Sequence, residues 1–414
     1  MKLMVLGGGT HQLNLIKKAK NLGHQLIICD YLPNPPGRMY ADYYEQVSTF
    51  DFRGCLRAAE KNAIDGVATA GTDQPVYTVA RVAEKLNLPR FLDSNTAAAV
   101  TNKKKMKSIF REHDIPTPNF AFLTAEDYER VFSLRFPLVF KPLDSQGQRG
   151  VIRVNSAAEV VESVAYTFSF TEKNEILAEE YYPGREITYS GWCDFGEPEH
   201  LLLTDRLTFE EYPHLGICTS HLFPSRFMQT HREEIYHLVR KIIKAFSLKE
   251  GPLYFQFLIG EDGIKVNEIA CRIGGAFEDV LLEKLTGVNI LDRIVHSALS
   301  IERGAGKYIS SPPEEIFGAA SAQFVFACPG KVSRLGDLKE LRTMPGFCEA
   351  EYYLRAGDYI PPTQNAGGRA GHFILTAKDK IELEQRLRKA YEFFRIEDMH
   401  GNNLVRKFSL GMES

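Results

Sequence analysis

The chain has 414 residues, of which 44% are hydrophobic and 25% charged, and a formal net charge of −3. This length exceeds what one hydrophobic core usually supports, so we expect about two to four units of ordinary domain size in a soluble globular protein. The basic residues do not collect into one long tract of the kind that binds nucleic acid, and the run of lysines at 103–105 is too short to form one, so we expect no nucleic-acid partner.

Features of the whole chain favour a cytoplasmic protein. The N-terminus enters a short apolar strand at once and lacks the long apolar stretch and cleavage site of a signal peptide. No segment reaches the length that crosses a membrane, so we expect no membrane partner. The seven cysteines form no Cys-x-x-Cys pair, which favours reduced thiols and argues against a zinc site.

The first hundred residues alternate between strands and helices. Strands are predicted over 3–6, 25–29 and 66–70, and helices over 10–22, 53–61 and 74–86. Such alternation predicts a parallel, doubly wound sheet whose connections share one hand.

Glycines at 7–9 follow the first strand, and Asp30 ends the second. This layout is typical of a dinucleotide-binding unit. The pattern is incomplete, because Gln12 stands where the third glycine of Gly-x-Gly-x-x-Gly would fall, so the close approach of helix and strand is not encoded. A nicotinamide oxidoreductase is therefore an alternative function, but it leaves the motifs further along the chain unexplained.

A domain boundary is predicted just after residue 100. A basic helix over 102–111 ends before Pro116 and Pro118, whose rings break helices. Beyond this boundary a small β-rich unit is predicted, with strands over 138–141, 151–154, 175–182 and 186–192 and a helix from Ser156.

A glycine-containing loop, residues 144–150, joins the first two strands of this unit. Such a loop can lay backbone N–H groups over phosphates, and Lys141 at its base adds positive charge. An ordinary hairpin loop is the alternative interpretation.

A predicted hairpin around residue 260 is the most informative feature of the chain. If the turn over 260–263 joins two antiparallel strands, the register places Gln256 opposite Glu268 on one face. One carboxylate and one amide oxygen on adjacent strands suit magnesium, and Arg272 is expected to face the same charge. The alternative is a hairpin with an exposed acid and a structural arginine.

The remaining segments contain no recognisable catalytic or binding motif. A helix with capping-box spacing at Thr230 and Glu233 is predicted to reach residue 246, and a helical stretch after the hairpin is predicted to reach Ser300. Toward the C-terminus, strands are predicted over 322–326 and 372–376 and a charged helix over 379–394.

Taken in chain order, these motifs resemble the ATP-grasp superfamily, of the carboxylate–amine ligase type. The resemblance is carried by Lys103, Lys141, the loop ending at Gly150, the segment from Glu179 to Tyr182, Glu186, and the hairpin from Gln256 to Arg272. Each motif is weak alone, but their order and spacing together are specific. The chain is similar to L-amino-acid ligases, to the large subunit of carbamoyl phosphate synthetase and to purine-pathway ligases.

The resemblance covers most of the chain and implies an α/β fold class in three parts. Residues 1–100 resemble a Rossmann-like domain with a doubly wound parallel sheet, and residues 101–300 a two-subdomain ATP-grasp α+β fold. Residues 301–414 resemble a C-terminal α+β domain associated with ligases. Within the central part, the small lid subdomain is expected at about 116–183.

By this resemblance the cofactors are ATP and Mg²⁺ or Mn²⁺. Lys103 and Lys141 would contact the ATP phosphates beneath a mobile lid. The backbones of Glu180 and Tyr182 would read the adenine edge, and Glu186 would accept the ribose hydroxyls. The full set implied for the nucleotide is Lys103, Lys141, Ser145, Gln146, Gly147, Gly150, Glu179, Glu180, Tyr182 and Glu186. Strand-edge acids beside solvent are the alternative for the acidic members.

The metal ligands implied are Gln256 and Glu268. The commonest family pattern has two acidic residues and an asparagine, whereas here Gln256 stands at the first acid and Ala270 at the asparagine. A second metal would then be held weakly, by Asn267 or by water, although regular pairing turns Asn267 to the opposite face from Glu268. These departures keep a nucleotide-binding protein without catalysis as an alternative.

The reaction implied is phosphorylation of a carboxylate by ATP, followed by attack of an amine on the acylphosphate to give an amide, as when two amino acids are joined. Lys141 and Arg272 would act on the developing charge, and a lid would keep water from the acylphosphate. The partners are then small-molecule carboxylates and amines. A purine-type ribonucleotide ligase of the same fold is the alternative among enzymes.

Candidate substrate groups are less well defined by the sequence. Arg206 and His221 precede the hairpin and could face a carboxylate. Gly275 and Glu278 are candidates for the amine site, and Arg369 could reach it from the C-terminal domain. A structural role is the alternative for each. Homodimers are common among the proteins that this chain resembles, and composition leaves the oligomeric state open.

Overall fold

The structure, a computed structural model, describes residues 1–209, 215–301 and 318–411. Its first region is a four-stranded parallel sheet in the order β3-β2-β1-β4, which confirms the predicted parallel sheet. The side chains from Leu3 to Leu6 are fully buried, because helices cover both faces of the sheet. The elements are β1 Lys2–Leu6, α1 Thr10–Asn21, β2 Gln25–Asp30, β3 Tyr43–Gln46, α2 Phe52–Asn62, β4 Gly66–Ala68, α3 Gln74–Lys85, α4 Ser94–Thr101 and α5 Lys103–Glu112.

Gln12 occupies the position of the missing third glycine. Its Nε2 donates hydrogen bonds to the Ala70 carbonyl (2.8 Å) and the Thr72 hydroxyl (2.9 Å). A Cβ placed on Gly7, where φ is +95°, would lie 2.9 Å from Gln12 Cδ. The glutamine therefore fills the space between β1 and α1 and ties the start of α1 to the loop after β4.

A second, antiparallel sheet forms the small subdomain, in the order β5-β8-β6-β7. Its four strands pack on their own apolar core, which includes Leu138, Phe140 and Val164. The elements are β5 Phe120–Leu123, β6 Leu138–Pro142, β7 Ile152–Val154, α6 Val160–Phe168 and β8 Ile176–Glu180.

The predicted strand over 186–192 does not belong to this small unit, so that part of the prediction was wrong. The chain leaves the small sheet after Glu180 and begins β9 (Arg185–Asp194), which pairs with two strands of the large sheet. Gly184 marks the crossing, because a Cβ there would clash with the carbonyl of Ile259. The alternation of apolar residues predicts that 186–192 forms a strand, but it does not indicate which sheet that strand joins.

The large sheet has eight strands in the order β13-β12-β9-β10-β11-β14-β19-β17. One face of its first half packs on α7 through a core that includes Ile187, Phe255 and Ile242. The opposite face, which carries Glu186, Gln256 and Glu268, is left for the site. The elements before the second gap in the described residues are β10 Glu197–Thr208, β11 Cys218–Phe223, α7 Arg232–Ala245, β12 Glu250–Gly260, β13 Gly263–Ala270, α8 Glu278–Thr286 and α9 Ile290–Ala298.

The C-terminal region extends this same sheet instead of forming a separate one, because β14 pairs with β11. Among the described residues, no helix is long and apolar enough to span a bilayer. The elements are β14 Ala319–Val325, β15 Gly330–Lys331, β16 Arg334–Leu335, α10 Lys339–Arg342, β17 Phe347–Tyr352, β18 Tyr359–Ile360, β19 Gly371–Ala377, α11 Lys380–Phe393 and β20 Ile396–Glu397.

Two helix predictions need correction. The capping box is wrong, because α7 has His231 at its N-cap with no side-chain cap, and the Thr230 hydroxyl lies 2.7 Å from His231 Nδ1 instead. The single helical stretch predicted to reach Ser300 is two helices, α8 and α9. They are separated at Gly287, whose φ of +72° ends α8 in the left-handed conformation.

Candidate active site

The β12–β13 hairpin places Gln256 directly opposite Glu268, as the sequence predicted. The Glu268 side chain is 37% exposed, and its Oε1 lies 3.8 Å from Lys103 Nζ. Gln256 Nε2 lies 3.4 Å from the Tyr254 hydroxyl, so that contact does not use the amide oxygen. A carboxylate and an amide oxygen thus lie side by side on one face, which fits a hard divalent cation that also takes phosphate oxygens.

The described residues contain no group of three or more His, Cys, Asp or Glu that could hold a metal ion alone. Magnesium retains waters and is commonly held through one or two carboxylates together with substrate phosphates. The donor set of Gln256 and Glu268 fits that manner of binding, in which the nucleotide completes the coordination.

A β-bulge changes the expected position of Asn267. The register steps from Gln256–Glu268 to Phe257–Val266, which leaves Asn267 as the extra residue on β13. Its Oδ1 accepts a hydrogen bond from Lys141 Nζ at 3.2 Å. Because pairing is not regular here, the strict alternation that would turn Asn267 away from the site does not hold.

A buried cluster of opposite charges holds Lys141 in place. Glu179 lies between two ammonium groups, with Lys107 Nζ at 2.5 Å from Oε1 and Lys141 Nζ at 2.5 Å from Oε2. Both Glu179 and Lys107 are only 2% exposed, a burial that charged groups tolerate when they are paired. Burial raises the pKa of Glu179, but the two lysines outweigh it and hold that pKa at about 2.

The same cluster keeps Lys141 charged. Burial lowers the pKa of its ammonium group, but Glu179 outweighs burial and raises the pKa above the ordinary value. Lys107 was not among the predicted site residues. It lies one helical turn after Lys103 on α5, a spacing that puts both on one helix face and could have indicated its role.

The predicted phosphate loop bends sharply and reaches the C-terminal region. Its turn has positive φ at Gly147, Gln148 and Gly150, and the Gly147 carbonyl accepts a hydrogen bond from Ala366 N–H at 3.1 Å. A Cβ on Gly150 would lie 2.6 Å from Phe170 Cβ, so the close packing there requires glycine. The loop therefore reaches from the small subdomain to the C-terminal region, where it contacts Ala366.

The start of this loop contacts α5, and its middle is closed by a turn. Lys103 Nζ donates to the Ser145 carbonyl at 3.3 Å. The Gln146 carbonyl accepts a hydrogen bond from Arg149 N–H at 3.4 Å. Lys103 thus lies between the loop and Glu268, where it can meet a phosphate bound between them.

In the segment that joins the two subdomains, some of the backbone groups predicted to bind adenine already have hydrogen-bond partners within the protein. The Glu180 N–H donates to the Asn119 carbonyl at 2.8 Å, so that amide is used within the small sheet and not for an adenine edge. The Glu180 carboxylate pairs with Arg135 at 3.1 Å. The Tyr182 hydroxyl donates to the Gly263 carbonyl at 2.7 Å, which fixes the segment on the hairpin turn. Adenine recognition by the Tyr182 backbone stays a prediction.

Arg206 pairs with Glu186 across β9 and β10. Its Nη2 also donates to the Gly216 carbonyl at 3.0 Å. Burial lowers the pKa of this guanidinium, but Glu186 outweighs burial and the net direction is upward. Arg206 therefore orients the predicted ribose acid and does not face a substrate carboxylate in this structure.

His221 and Glu278 both turn into the protein interior, and neither is exposed. His221 Nδ1 lies 3.0 Å from the Thr204 hydroxyl, and its Nε2 lies 3.8 Å from Glu278 Oε1. Burial, with nearby guanidinium groups, lowers the pKa of His221 to about 3, so the ring is neutral at neutral pH. Glu278 Oε2 accepts a hydrogen bond from Ala276 N–H at 2.8 Å. Glu278 thus braces its own loop and is not among the residues that line the cavity described below, so its place at the amine site stays a prediction.

Arg272 joins the hairpin to the N-terminal domain. It makes a bidentate contact with Asp73 (Nε–Oδ1 2.8 Å, Nη2–Oδ2 2.7 Å) and lies over the Tyr254 ring at 4.9 Å from its centroid. Tyr254 stands opposite Ala270, whose small side chain leaves room for that ring. The departure from asparagine at 270 is therefore accompanied by an aromatic contact beneath Arg272.

A cavity of about 140 Å³ begins directly after Arg272, where three parts of the chain meet. Gly275 forms part of its wall, and a Cβ there would lie 2.5 Å from the Gly71 carbonyl, so only glycine fits. The described residues that line it include Thr10, His11 and Asn14 from α1, Ile273, Gly274, Gly275 and Asp279, and Tyr353, Ala366, Gly367 and Arg369 from the C-terminal region.

The cavity has a cationic wall and an acidic wall. The Arg369 guanidinium lies over the Phe324 ring at 3.6 Å from its centroid, and its buried Nε has no hydrogen-bond partner in the described parts of the chain. Burial and then Arg369 lower the pKa of His11 to about 4, so this imidazole is neutral at neutral pH. Asp279 faces the same space from the start of α8.

Comparison with known proteins finds two matching domain families. Residues 134–279 match the ATP-grasp domain, and residues 323–398 match the family described as L-amino acid ligase C-terminal domain 2. A phosphoribosylamine–glycine ligase of Methanosphaera stadtmanae is 24% identical over 303 residues, which cover 66% of this chain and 67% of that protein.

Solved structures match along almost the whole chain. The crystal structure of L-amino acid ligase from Bacillus licheniformis has a TM-score of 0.80 at 21% identity, covering 96% of this chain and 98% of that chain. Phosphoribosylglycinamide synthetase from Anaerococcus prevotii has a TM-score of 0.75 at 19% identity, covering 95% of this chain and 98% of that chain. At these identities the likeness establishes the fold.

Proposed function

We propose that this chain, which contains an ATP-grasp domain followed by an L-amino acid ligase C-terminal domain, is an ATP-dependent ligase that joins a carboxylate to an amine. The observation that carries the proposal is the continuity of two sites along β13. The pair Gln256 and Glu268 lies at the nucleotide end, and the cavity opens directly after Arg272. A phosphoryl donor and a small acceptor would therefore meet near Arg272.

The chemistry assigned to this chain is mainly positioning. Lys103 and Lys141 hold the ATP phosphates, and Arg272 faces the charge that develops as the phosphoryl group reaches the carboxylate. A divalent cation held by Gln256 and Glu268 would neutralise phosphate charge when bound. The loop over 144–150 shields the acylphosphate from water until an amine attacks it and phosphate leaves.

The cavity favours amino acids over a ribonucleotide as substrates. A ribonucleotide would bring a phosphate that requires several basic groups, whereas Arg369 is the only Lys or Arg among the described lining residues. A guanidinium on one wall and a carboxylate on another suit a zwitterion. The apolar side chains of Leu15, Ile273 and Leu291 would contact its side chain.

The test is ADP release by purified protein with ATP and magnesium, against pooled amino acids and against other carboxylates with amines, with mass spectrometry of the products. We expect ADP release that depends on both an amino acid and magnesium, together with a new amide mass. If no pool releases ADP although ATP binds, the chain is a nucleotide-binding protein without this activity, and the proposal is wrong.

A further inference from the structure

Two adjacent acids at the start of α8 point into different surroundings. Glu278 is fully buried and accepts a hydrogen bond from the Ala276 N–H, whereas Asp279 is partly exposed to the cavity. Both follow Phe277, whose φ of +62° sets the direction in which α8 starts, and successive residues of a helix point about 100° apart. The sequence predicts Glu278 for the amine site, whereas Asp279 is the acid that lines the cavity.

Asn14 fixes the orientation of Asp279 across the domain junction. The Asn14 Nδ2 donates to Asp279 Oδ2 at 2.8 Å, although the two residues are 265 positions apart. A carboxylate offers about four acceptor sites, so this bond leaves capacity for a ligand in the cavity. Asn14 is itself in the cavity lining, so the carboxylate is held at the wall and not withdrawn from it.

The other ionisable groups around the cavity are less suited to receive a proton at neutral pH. Burial and Arg369 lower the pKa of His11 to about 4. In contrast, burial raises the pKa of Asp279 to about 6, with Glu349 on β17 adding to the rise and Asn14 opposing it. A group with a pKa near the working pH is the most effective general base.

We infer that Asp279 binds the ammonium group of the amine substrate and accepts the proton that this group must lose before it attacks. The inference rests on the proposed ligase function. The Asp279 carboxylate takes one proton from R–NH₃⁺, and the lone pair of R–NH₂ then forms the bond to the acylphosphate carbonyl carbon. The carbon–oxygen bond to the phosphoryl group breaks, and the departing phosphate takes the second proton from nitrogen.

This assignment predicts a preference among amines. The α-amino group of an amino acid is less basic than a lysine side-chain amine, whose pKa is about 10.4. Proton transfer to Asp279 therefore costs less free energy from the α-ammonium group than from the side-chain ammonium group. We therefore expect amide bonds at α-nitrogen over side-chain nitrogen when an acceptor carries both.

Hydroxylamine separates the two stages of the reaction. It is neutral at the pH of the assay, so it intercepts an acylphosphate as a hydroxamate without first losing a proton to a base. The experiment measures hydroxamate formation and amide formation for the full chain and for Asp279→Asn. The matched control is Glu283→Gln, which removes an exposed acid from the same helix.

We expect Asp279→Asn to lose amide formation by about 100-fold or more, the usual contribution of a general base, and to raise the KM for the amine. Hydroxamate formation should stay close to that of the wild-type protein, and Glu283→Gln should change neither rate. Amide formation by the wild-type protein should fall below about pH 6 as Asp279 becomes protonated. Hydroxamate formation, compared at a constant concentration of unprotonated hydroxylamine, should not share that fall.

Each contrary result has a distinct meaning. Amide formation retained by Asp279→Asn overturns the role of Asp279 while the ligase remains. Equal loss of hydroxamate and amide in this variant also overturns it, because the residue would then act before the amine step. If the wild-type protein forms neither product from any carboxylate, the proposed function fails and the inference fails with it.

Discussion

At the nucleotide end of the site, charged side chains pair with one another, whereas around the cavity they face a shared space. Glu179 is held between two lysines, and Glu186 by Arg206. In the cavity, Arg369 Nε has no hydrogen-bond partner among residues 1–209, 215–301 and 318–411, and Asp279 is held by a neutral amide. We infer that the paired charges at the nucleotide end fix the positions of the side chains there, whereas the charged groups around the cavity are available to bind a ligand.

The strongest test of this comparison removes the metal carboxylate. Glu268→Ala should reduce turnover by about 100- to 1,000-fold, the effect of losing one preorganised electrostatic group. The fold should be retained, because Glu268 is partly exposed and its ion pair with Lys103 is a long one, at 3.8 Å. ADP release and circular dichroism would measure both, with the turn variant Glu261→Ala as control. Retained turnover would remove the metal assignment.

The second test breaks the buried charge cluster. Lys107→Met should lower the free energy of unfolding by about 3 kcal/mol, because Glu179 would keep its burial and lose one of its two ammonium partners. Urea denaturation measures this change. Lys105→Met, at an exposed position on the same helix, is the matched control. A loss no larger than that of the control would show that this end does not depend on mutual pairing.

The cluster also predicts how stability depends on pH. The pKa of Glu179 is about 2 in the folded protein and 4.5 ordinarily, so its contribution is fully present above pH 4.5 and is lost as the pH falls toward 2. Denaturant unfolding at about pH 5 and about pH 3 should show a steeper loss for the wild-type protein than for Glu179→Gln. Parallel curves for the two proteins would contradict the pairing.

Removing a phosphate contact should have a smaller effect. Lys141→Ala should weaken ATP binding by about 1.5 to 3 kcal/mol, the size of a charge-assisted hydrogen bond. Isothermal titration calorimetry measures the affinity, and Lys173→Ala, an exposed lysine in the same subdomain, is the control. Unchanged affinity would mean that Lys141 serves Glu179 alone and that the nucleotide end is purely structural.

The same contrast explains how far the sequence could predict the site. The hairpin itself is a local feature that the turn over 260–263 marks in the sequence. Regular pairing from this turn would set Gln256 opposite Asn267, and the bulge at Asn267 brings Glu268 there instead. The parallel sheet likewise followed from alternating elements. Such local features can be predicted without knowing which distant segments of the chain are in contact.

The missed features depend on contacts between distant segments or on local irregularities. Asp73 meets Arg272 across 199 positions, and Asn14 meets Asp279 across 265, so no spacing rule joins them. Whether Glu278 or Asp279 faces the cavity is decided by one backbone bend at Phe277, a non-glycine residue that rarely adopts positive φ. The spacing of Lys107 from Lys103 puts the two on one face of α5, but the sequence does not show that Lys107 is buried against Glu179.

The smallest predicted effect belongs to the bulge residue. Asn267→Ala removes one acceptor from Lys141, which keeps Glu179 as its partner, so ATP affinity should fall by only about 0.5 to 1.5 kcal/mol. Calorimetry with and without magnesium, with Asn155→Ala as control, measures this loss. A loss larger than that of Lys141→Ala, seen only with magnesium, would show that Asn267 binds the metal. Asn267 would then be a metal ligand positioned by the bulge. The nucleotide end would in that case, like the cavity, contain side chains that are available to bind a ligand.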